Sequence, residues 1–283
     1  MAAADPFECN WRGELALTFA PSASNTVVAR RRHSGPFCIQ QPFYPGDGAC
    51  HVYLLHPPGG LAAGDVLELD VDVAPGAAAL LTTPAATKFY RSDGAPSVQR
   101  QTLRVGSGAS LEWLPLDTIL FGGSRAVIET AVELEPGARF IGWEQLSLGR
   151  PLSGDRYATG TLEQHTWIGV DREPQLIESL RYGAGERLLT AACGLDSFGV
   201  CGALYAYPAR DLLLARVRER IGAATPSHQT TLRCGATLLD ELLVVRCLAR
   251  EPEALRNLFE ALWCEIRPSV VGRTPSSPRV WRT

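Results

Sequence analysis

Lysine is nearly missing from this 283-residue sequence: of its 27 basic residues, Lys88 is the single lysine and the other 26 are arginine. We attribute the bias to a GC-rich genome rather than to chemistry, yet it singles out Lys88. The chain also lacks a strong positive charge: its net charge is -3 and its pI is about 6.0. These values argue against a nucleic-acid-binding protein.

Long apolar segments and an export signal are also absent. No run approaches the roughly 18 uninterrupted apolar residues of a membrane helix. Residues 1–8 carry acids where a secretory signal peptide needs basic residues. We therefore expect a protein of the cytosol.

The eight cysteines contain no Cys-x-x-Cys pair, and the closest two, Cys193 and Cys201, are eight positions apart. In a chain without a signal peptide, reduced thiols are expected, packed as small buried apolar side chains. The spacing gives no support for a structural zinc site.

Familiar catalytic motifs are missing as well. The sequence has no Gly-x-Ser-x-Gly elbow, no phosphate-binding glycine loop and no His-Glu-x-x-His. His51 and His56 are five residues apart in a strand-like segment, which places them on opposite faces and argues against a shared metal. Two alternatives remain beside a non-enzyme: a cytosolic β-helical carbohydrate-active enzyme that uses paired carboxylates, and a β-rich protein that binds a small ligand.

What the sequence does contain is a repeat. Three segments, 66–83, 101–114 and 126–144, each show a strand, a small turn with Gly-Ala, and a second strand. The turn glycines at positions 76, 108 and 137 are spaced 32 and 29 apart. Such recurrence predicts a mainly β fold of stacked, β-helical strand layers rather than one closed barrel.

Within the first repeat, residues 67–73 alternate between apolar and acidic side chains. Alternation of period two puts one set of side chains on each face of a strand. We interpret the acidic set as a solvated outer face that also discourages edge pairing. This set consists of Glu68, Asp70 and Asp72.

Helical patterns are confined to the C-terminal part of the chain. The first spans 208–222, with an apolar stripe and Gly222 as its stop. That stripe contains Leu212, Ala215, Val217 and Ile221. A hairpin of 229–234 and 241–248 precedes a second helix, 251–267, which we expect to end at Pro268. Its inward side chains are Leu255, Leu258, Phe259, Leu262, Trp263 and Ile266.

These patterns together predict one domain over residues 1–283. Its β body covers about 10–205 and 228–248, and its helices cover about 208–222 and 251–267.

Four stretches, in this order along the chain, resemble the D-type urease accessory proteins, the UreD (UreH) family. They are Pro42-Phe-Tyr-Pro45 with His56-Pro-Pro-Gly-Gly-Leu-Ala-Ala-Gly-Asp65; Leu81-Thr-Thr-Pro-Ala-Ala-Thr-Lys-Phe-Tyr-Arg-Ser92; Trp113-Leu-Pro-Leu-Asp117 through Glu144-Gln-Leu-Ser-Leu-Gly-Arg150; and Leu262-Trp263, Arg267-Pro268, Gly272-Arg273 with Pro278-Arg-Val-Trp-Arg-Thr283. The sequence departs from the family at Ala85, where the family usually has Gly before Ala-Thr-Lys; residues 1–41 match only loosely.

The resemblance implies a non-catalytic, β-helical assembly factor for urease. It implies binding to the F-type accessory protein, through it to the G-type GTPase, and to the apo-urease subunits. It further implies help with nickel delivery to the urease active site, without a tightly bound cofactor or a tight metal site. Ni²⁺ would pass transiently through an internal tunnel lined by polar and acidic residues.

By their places in the matching motifs, five residues resemble the family's tunnel residues. They are Asp65, Thr87, Lys88, Glu144 and Glu178. Other roles stay open: Asp65 would accept backbone N–H groups in a turn, Lys88 would pair with Asp65 or Glu144, and Glu178 would pair with Arg181.

The C-terminal block offers a second set of candidates. Arginine and tryptophan are enriched on partner surfaces, but the same block would also suit a tail that folds back on the β body. The candidates are Arg267, Arg273, Arg279 and Trp281.

Overall fold

The computed structural model describes residues 11–23, 25–150, 153–225 and 231–282, and these contain seventeen strands and two α-helices. The strands are β1 (Arg12–Ser22), β2 (Asn25–Ser34), β3 (Cys38–Ile39), β4 (Cys50–Leu55), β5 (Val66–Val73), β6 (Ala78–Thr82), β7 (Thr87–Phe89), β8 (Ser97–Val105), β9 (Ser110–Leu114), β10 (Thr118–Leu120), β11 (Arg125–Leu134), β12 (Arg139–Leu148), β13 (Thr161–Val170), β14 (Glu173–Gly183), β15 (Val200–Tyr207), β16 (Leu232–Leu239) and β17 (Leu242–Ala249). The helices are α1 (Asp211–Ala224) and α2 (Pro252–Val270).

The strands form two sheets, and the chain passes repeatedly from one sheet to the other. Sheet A has the order β14-β13-β11-β8-β5-β1-β2. Sheet B has the order β16-β17-β15-β12-β9-β6-β4-β3, with β10 paired to β12 and β7. Within sheet B, neighbouring strands run parallel from β4 through β6 and β9 to β12. Within sheet A, they run parallel from β1 through β5, β8 and β11 to β13. The predicted mainly β fold of stacked layers is confirmed.

The spacing of the turn glycines equals the offset between paired strands. Val66 lies opposite Val98, an offset of 32, and Ser97 lies opposite Ala126, an offset of 29. The same offsets relate β6 to β9 and β9 to β12. The three turn glycines all have positive φ, between +67° and +79°, a conformation that residues with a Cβ rarely adopt.

The alternation in β5 separates its two faces as predicted. Leu67, Leu69, Val71 and Val73 are buried between the sheets. The acidic side chains of β5 project outward and lie beside arginines of the next layer, such as Arg104, which approaches Asp70 at 3.4 Å and Asp72 at 3.5 Å.

Helix α1 buries two of the four residues predicted for its apolar stripe, Val217 and Ile221, but not the other two, Leu212 and Ala215. Leu213, Val217 and Ile221 are buried, whereas Leu212 is 73% exposed. Gly222 lies inside the helix rather than ending it. The choice of Leu212 was wrong because the run of three leucines at 212–214 fits two neighbouring stripes of the helix.

Helix α2 buries all six side chains that the sequence pattern assigned to its inner face. It continues past Pro268 to Val270, so the predicted stop at this proline was wrong. Near the end of a helix, proline removes a single intrahelical hydrogen bond. The next turn persists because the N–H of Val271 donates to the carbonyl of Arg267 at 3.0 Å.

Two apolar layers result from this arrangement. The larger core fills the space between the two sheets, and a second core lies between sheet B and the two helices. Within the described ranges, neither helix is long and apolar enough to cross a membrane.

The seven cysteines in the described residues are free thiols. Five of them are buried or half-buried, but Cys193 and Cys264 are exposed, so burial was the wrong expectation for these two.

Candidate functional site

A row of polar side chains crosses the inner face of sheet A. Gln101, Thr130, Thr166 and Glu178 are direct register partners on β8, β11, β13 and β14. The first three are at most 6% exposed. Because apolar side chains surround them, their polar atoms need partners inside the protein.

Glu144 of sheet B meets this row from the opposite side. The hydroxyl of Thr130 donates to Oε1 of Glu144, and Nε2 of Gln164 donates to its Oε2 at 2.6 Å. Gln101 in turn donates to the Thr130 hydroxyl at 2.8 Å. Both oxygens of a buried carboxylate are thus hydrogen-bonded, and within the described ranges Glu144 forms no ion pair with an arginine or lysine.

Burial is the main influence on the charge of Glu144. It raises the pKa of this carboxyl above its ordinary value, and the hydrogen bonds from Thr130, Gln164 and Gln101 oppose that rise only in part. The negative charge of Glu178 raises the pKa further. Glu144 consequently holds a proton more readily than an exposed glutamate does.

Two cavities adjoin at this carboxylate. The first, about 300 Å³, extends from Glu144 toward the segment 83–88 and His56. The second, about 330 Å³, extends from Glu144 toward Glu178 and the segment 193–195. The residues that line both cavities are Glu144, Leu146 and Gln164. The two cavities therefore lie next to each other, and the carboxyl group of Glu144 is part of the wall of both.

An ion pair between the sheets borders the second cavity. Arg246 of β17 holds Glu178 of β14 with two contacts, Nε to Oε1 at 3.1 Å and Nη2 to Oε2 at 3.2 Å. The hydroxyl of Tyr205 donates to Glu178 at 3.4 Å. The predicted pairing of Glu178 with Arg181 was wrong, because residues three apart on a strand lie on opposite faces. Arg181 pairs with Glu163 instead, on the outside.

Thr87 and Lys88 line the first cavity from β7. Among the described residues, Lys88 forms no ion pair with Asp65 or Glu144, so the expected pairing is corrected. His56 lines the same cavity, and burial lowers its pKa, while the nearby carboxylate of Asp65 opposes the change. Burial therefore favours the neutral form of this imidazole.

Asp65 lies outside both cavities. Its carboxylate accepts the backbone N–H of Ala62 at 2.7 Å and that of Trp11 at 3.2 Å. These contacts fix the turn that leads into β5, which is the structural role that the sequence left open. The structure therefore places Thr87, Lys88, Glu144 and Glu178 in the walls of the two cavities and Asp65 outside them.

Arg267 is buried inside the protein, not on its surface. It is 0% exposed, and its guanidinium contacts Glu112 at 2.9 Å and Asp47 at 2.7 Å. Burial by itself raises the pKa of Asp47, but hydrogen bonds from His51, Arg267 and the N–H of Ala49 hold it well below its usual range. The expected place of Arg267 on a partner surface is corrected, because a guanidinium with two carboxylate partners is satisfied in the interior.

The rest of the C-terminal block folds back on the β body. Arg273 donates to the carbonyl of Asp47 at 3.1 Å and to Ser110 at 2.9 Å. Trp281 packs against Trp143 and Trp263, with 5.5 Å between ring centroids in both pairs. Of the four candidates, Arg279 alone is exposed.

The described part of the chain contains no group of three or more metal-binding side chains. The two cavities offer instead separate carboxylate, hydroxyl, amide and imidazole groups. Oxygen and imidazole donors suit a hydrated divalent cation of intermediate hardness, and sparse donors hold it weakly enough to release it.

Sequence reasoning missed several residues that line one or both cavities: His56, Gln101, Gln164, Thr166, Tyr205 and Arg246. For one contact the signal was present. The offset of 29 between turn glycines also relates Gln101 to Thr130, so the repeat would have aligned these two polar residues.

Comparison with known proteins gives a consistent result over nearly the whole chain. The family model described as UreD urease accessory protein matches residues 12–282. The chain is 46% identical over 281 residues to the urease accessory protein UreD of Alkalilimnicola ehrlichii, covering 99% of this chain and 94% of that protein. It is 41% identical to that of Pseudomonas entomophila, covering 99% and 96%, and 39% identical to that of Klebsiella aerogenes, covering 98% and 99%. The chain therefore belongs to the UreD urease accessory protein family.

Proposed function

We propose that this protein is a non-catalytic urease maturation factor of the cytoplasm whose interior passage conducts Ni²⁺ toward apo-urease. The observation that carries the proposal is the meeting of two cavities at Glu144, with Glu178 farther along the second one. Family membership supports the role in urease maturation.

The chemistry of the passage suits a cargo in transit. Glu144 already accepts two hydrogen bonds and Glu178 is held by Arg246, so neither carboxylate is free to bind a cation tightly. Ni²⁺ would enter with water still bound, exchange some of it for side-chain oxygen, and leave again. The F-type accessory protein and, through it, the G-type GTPase would deliver the ion at one mouth, and the apo-urease subunits would receive it at the other.

The alternative function, a carbohydrate-active enzyme that uses paired carboxylates, is supported less well. Such enzymes need one carboxyl to donate a proton and another to act as base or nucleophile at an accessible cleft. Here Glu144 is 8% exposed and its two oxygens are occupied by neighbouring side chains.

The test is nickel loading of urease produced with variants of this chain. We expect Glu144→Gln and Glu178→Ala to lower the nickel content per urease active site, measured by metal analysis of purified urease. The matched control is Glu129→Gln, because Glu129 is adjacent to Thr130 in sequence but projects from the outer face.

Pull-down of urease and the F-type protein with each variant separates transport from assembly. Intact complexes with reduced nickel support the passage. Intact complexes with normal nickel in both passage variants would rule it out.

A further inference from the structure

The edge strand β2 carries three consecutive exposed arginines. Arg30, Arg31 and Arg32 lie at one end of sheet A, where β1 is the only hydrogen-bonded neighbour of β2 among the described residues. None of the three forms an ion pair within the described ranges. A concentration of unpaired positive charge is notable in a chain whose net charge is -3.

Elsewhere on the outer face of sheet A, arginine side chains lie beside acidic side chains of the neighbouring strands. The arginines of β8 lie between acidic columns on β5 and β11: Arg100 contacts Glu68 at 3.3 Å and also Glu129. Arg104 likewise contacts Asp70 on one side and Glu133 on the other. In this sheet, then, a basic column pairs with an acidic column on each side.

At β2 the residues paired directly with Arg30 and Arg32 are not acidic, although Arg32 lines a surface pocket that Glu14, Glu68 and Asp70 also line. Arg30 and Arg32 lie opposite Thr18 and Ala16 of β1, which share rows with the outward-facing acids of β5. Both arginines therefore belong to the same outer face, but the side chains directly opposite them on β1 are uncharged. Among the described residues no further strand pairs with the other side of β2, so backbone N–H and C=O groups on that side can hydrogen-bond an added strand.

The charges on β2 also determine which kind of strand can pair with its open edge. Three arginines repel the β2 strand of a second copy, and they disfavour an apolar strand that would bury their charge. An extended segment with carboxylates at alternate positions satisfies both the backbone groups and the arginines. We propose that β2 is a docking edge for an acidic, extended segment of a partner protein, which adds to sheet A as a further strand.

The proposal is tested with a labelled peptide of alternating glutamate and threonine, titrated by fluorescence anisotropy against the full chain. We expect Arg30→Gln/Arg32→Gln to weaken binding by about tenfold or more, and raised salt to weaken it in the unmodified protein. The matched control is Arg172→Gln/Arg181→Gln, which removes two exposed arginines beside and on β14, the opposite edge of the same sheet.

A second peptide, N-methylated at every residue, distinguishes strand addition from simple charge attraction. It keeps the carboxylates but lacks backbone donors, so it should bind much more weakly than the unmethylated peptide. Equal binding of both peptides, or equal binding to both arginine variants, would overturn the proposal. So would preferential binding of an oligonucleotide or of anionic lipid vesicles over the acidic peptide, lost in the β2 variant.

Discussion

Glu112 and Arg267 are 155 positions apart in the sequence, and their side chains form a buried ion pair at 2.9 Å that joins helix α2 to sheet B. Asp47 completes the cluster by accepting a hydrogen bond from Nη2 of the guanidinium at 2.7 Å. A loop, a strand and a helix are thus held together by one arginine.

Replacing this arginine should destabilise the whole protein. Arg267→Met leaves Glu112 buried without its cationic partner, and breaking a buried pair from one side costs about 3–5 kcal/mol. Urea unfolding followed by circular dichroism measures the loss. Arg279→Met is the control because Arg279 is exposed, and we expect less than about 0.5 kcal/mol there. Equal losses in the two variants would contradict the role assigned to the buried pair.

Glu144 should make stability depend on pH. Its folded pKa lies above the ordinary value of 4.5, so the folded state binds more protons than the unfolded state between these two pKa values. Stability therefore falls as pH rises through that window. Glu144→Gln removes this dependence, and we expect a higher Tm for the variant at pH 7.5, by roughly 2–4 °C for each kcal/mol regained.

Below pH 4.5 the two proteins should melt at similar temperatures, because Glu144 is then neutral in both states. A variant less stable than the unmodified protein at pH 7.5 would show that hydrogen bonds to the charged carboxylate outweigh its burial.

The pair Glu178–Arg246 should be more strongly coupled than an ordinary surface pair. Its two contacts bridge the sheets, and Glu178 is 20% exposed in its side chain. A double-mutant cycle with Glu178→Ala and Arg246→Ala should give about 1 kcal/mol of coupling free energy. The same cycle on the solvent-exposed ion pair of Glu163 and Arg181, with 3.4 Å between Oε1 and Nε, should give a coupling free energy near zero. Similar values for both pairs would count against a special role of the first.

Two glycine-to-alanine substitutions should change stability in opposite directions. At Gly108 and Gly222, an added Cβ would have no atom within 4 Å among the described residues, apart from the adjacent residues and the backbone of the same helix, so backbone conformation decides the effect. Gly108 has φ +67°, and alanine there should cost about 1 kcal/mol. Gly222 lies within α1, where alanine should add about 0.5–1 kcal/mol. Thermal unfolding of both variants checks the signs, and a stabilising Gly108→Ala would contradict the turn assignment.

The residues that line the two cavities were predictable from the sequence only in part. Glu144 and Glu178 were identified through their places in family motifs, and the structure places both at the second cavity. Asp65 was selected by the same reasoning but caps a turn, because a motif gives the position of a carboxylate and not its direction. Arg246 escaped notice because its partner is 68 positions away in the chain.

The C-terminal block shows the same division. Its composition of arginine and tryptophan suits a surface or an interior equally well, and sequence reasoning left both readings open. Burial of Arg267 depends on Glu112 and Asp47, which come from separate elements more than 150 positions earlier. Local patterns carry no information about such partners.

The sequence by itself determined the layered β architecture, since the spacing of turn glycines is the register offset, and strand alternation assigns each side chain to a face. It also determined the buried face of α2. Only the tertiary structure decided where polar groups from the two sheets meet. Thr130 and Gln164 reach Glu144 across the space between the sheets, and that distance depends on how the sheets pack, which no periodicity within one strand encodes.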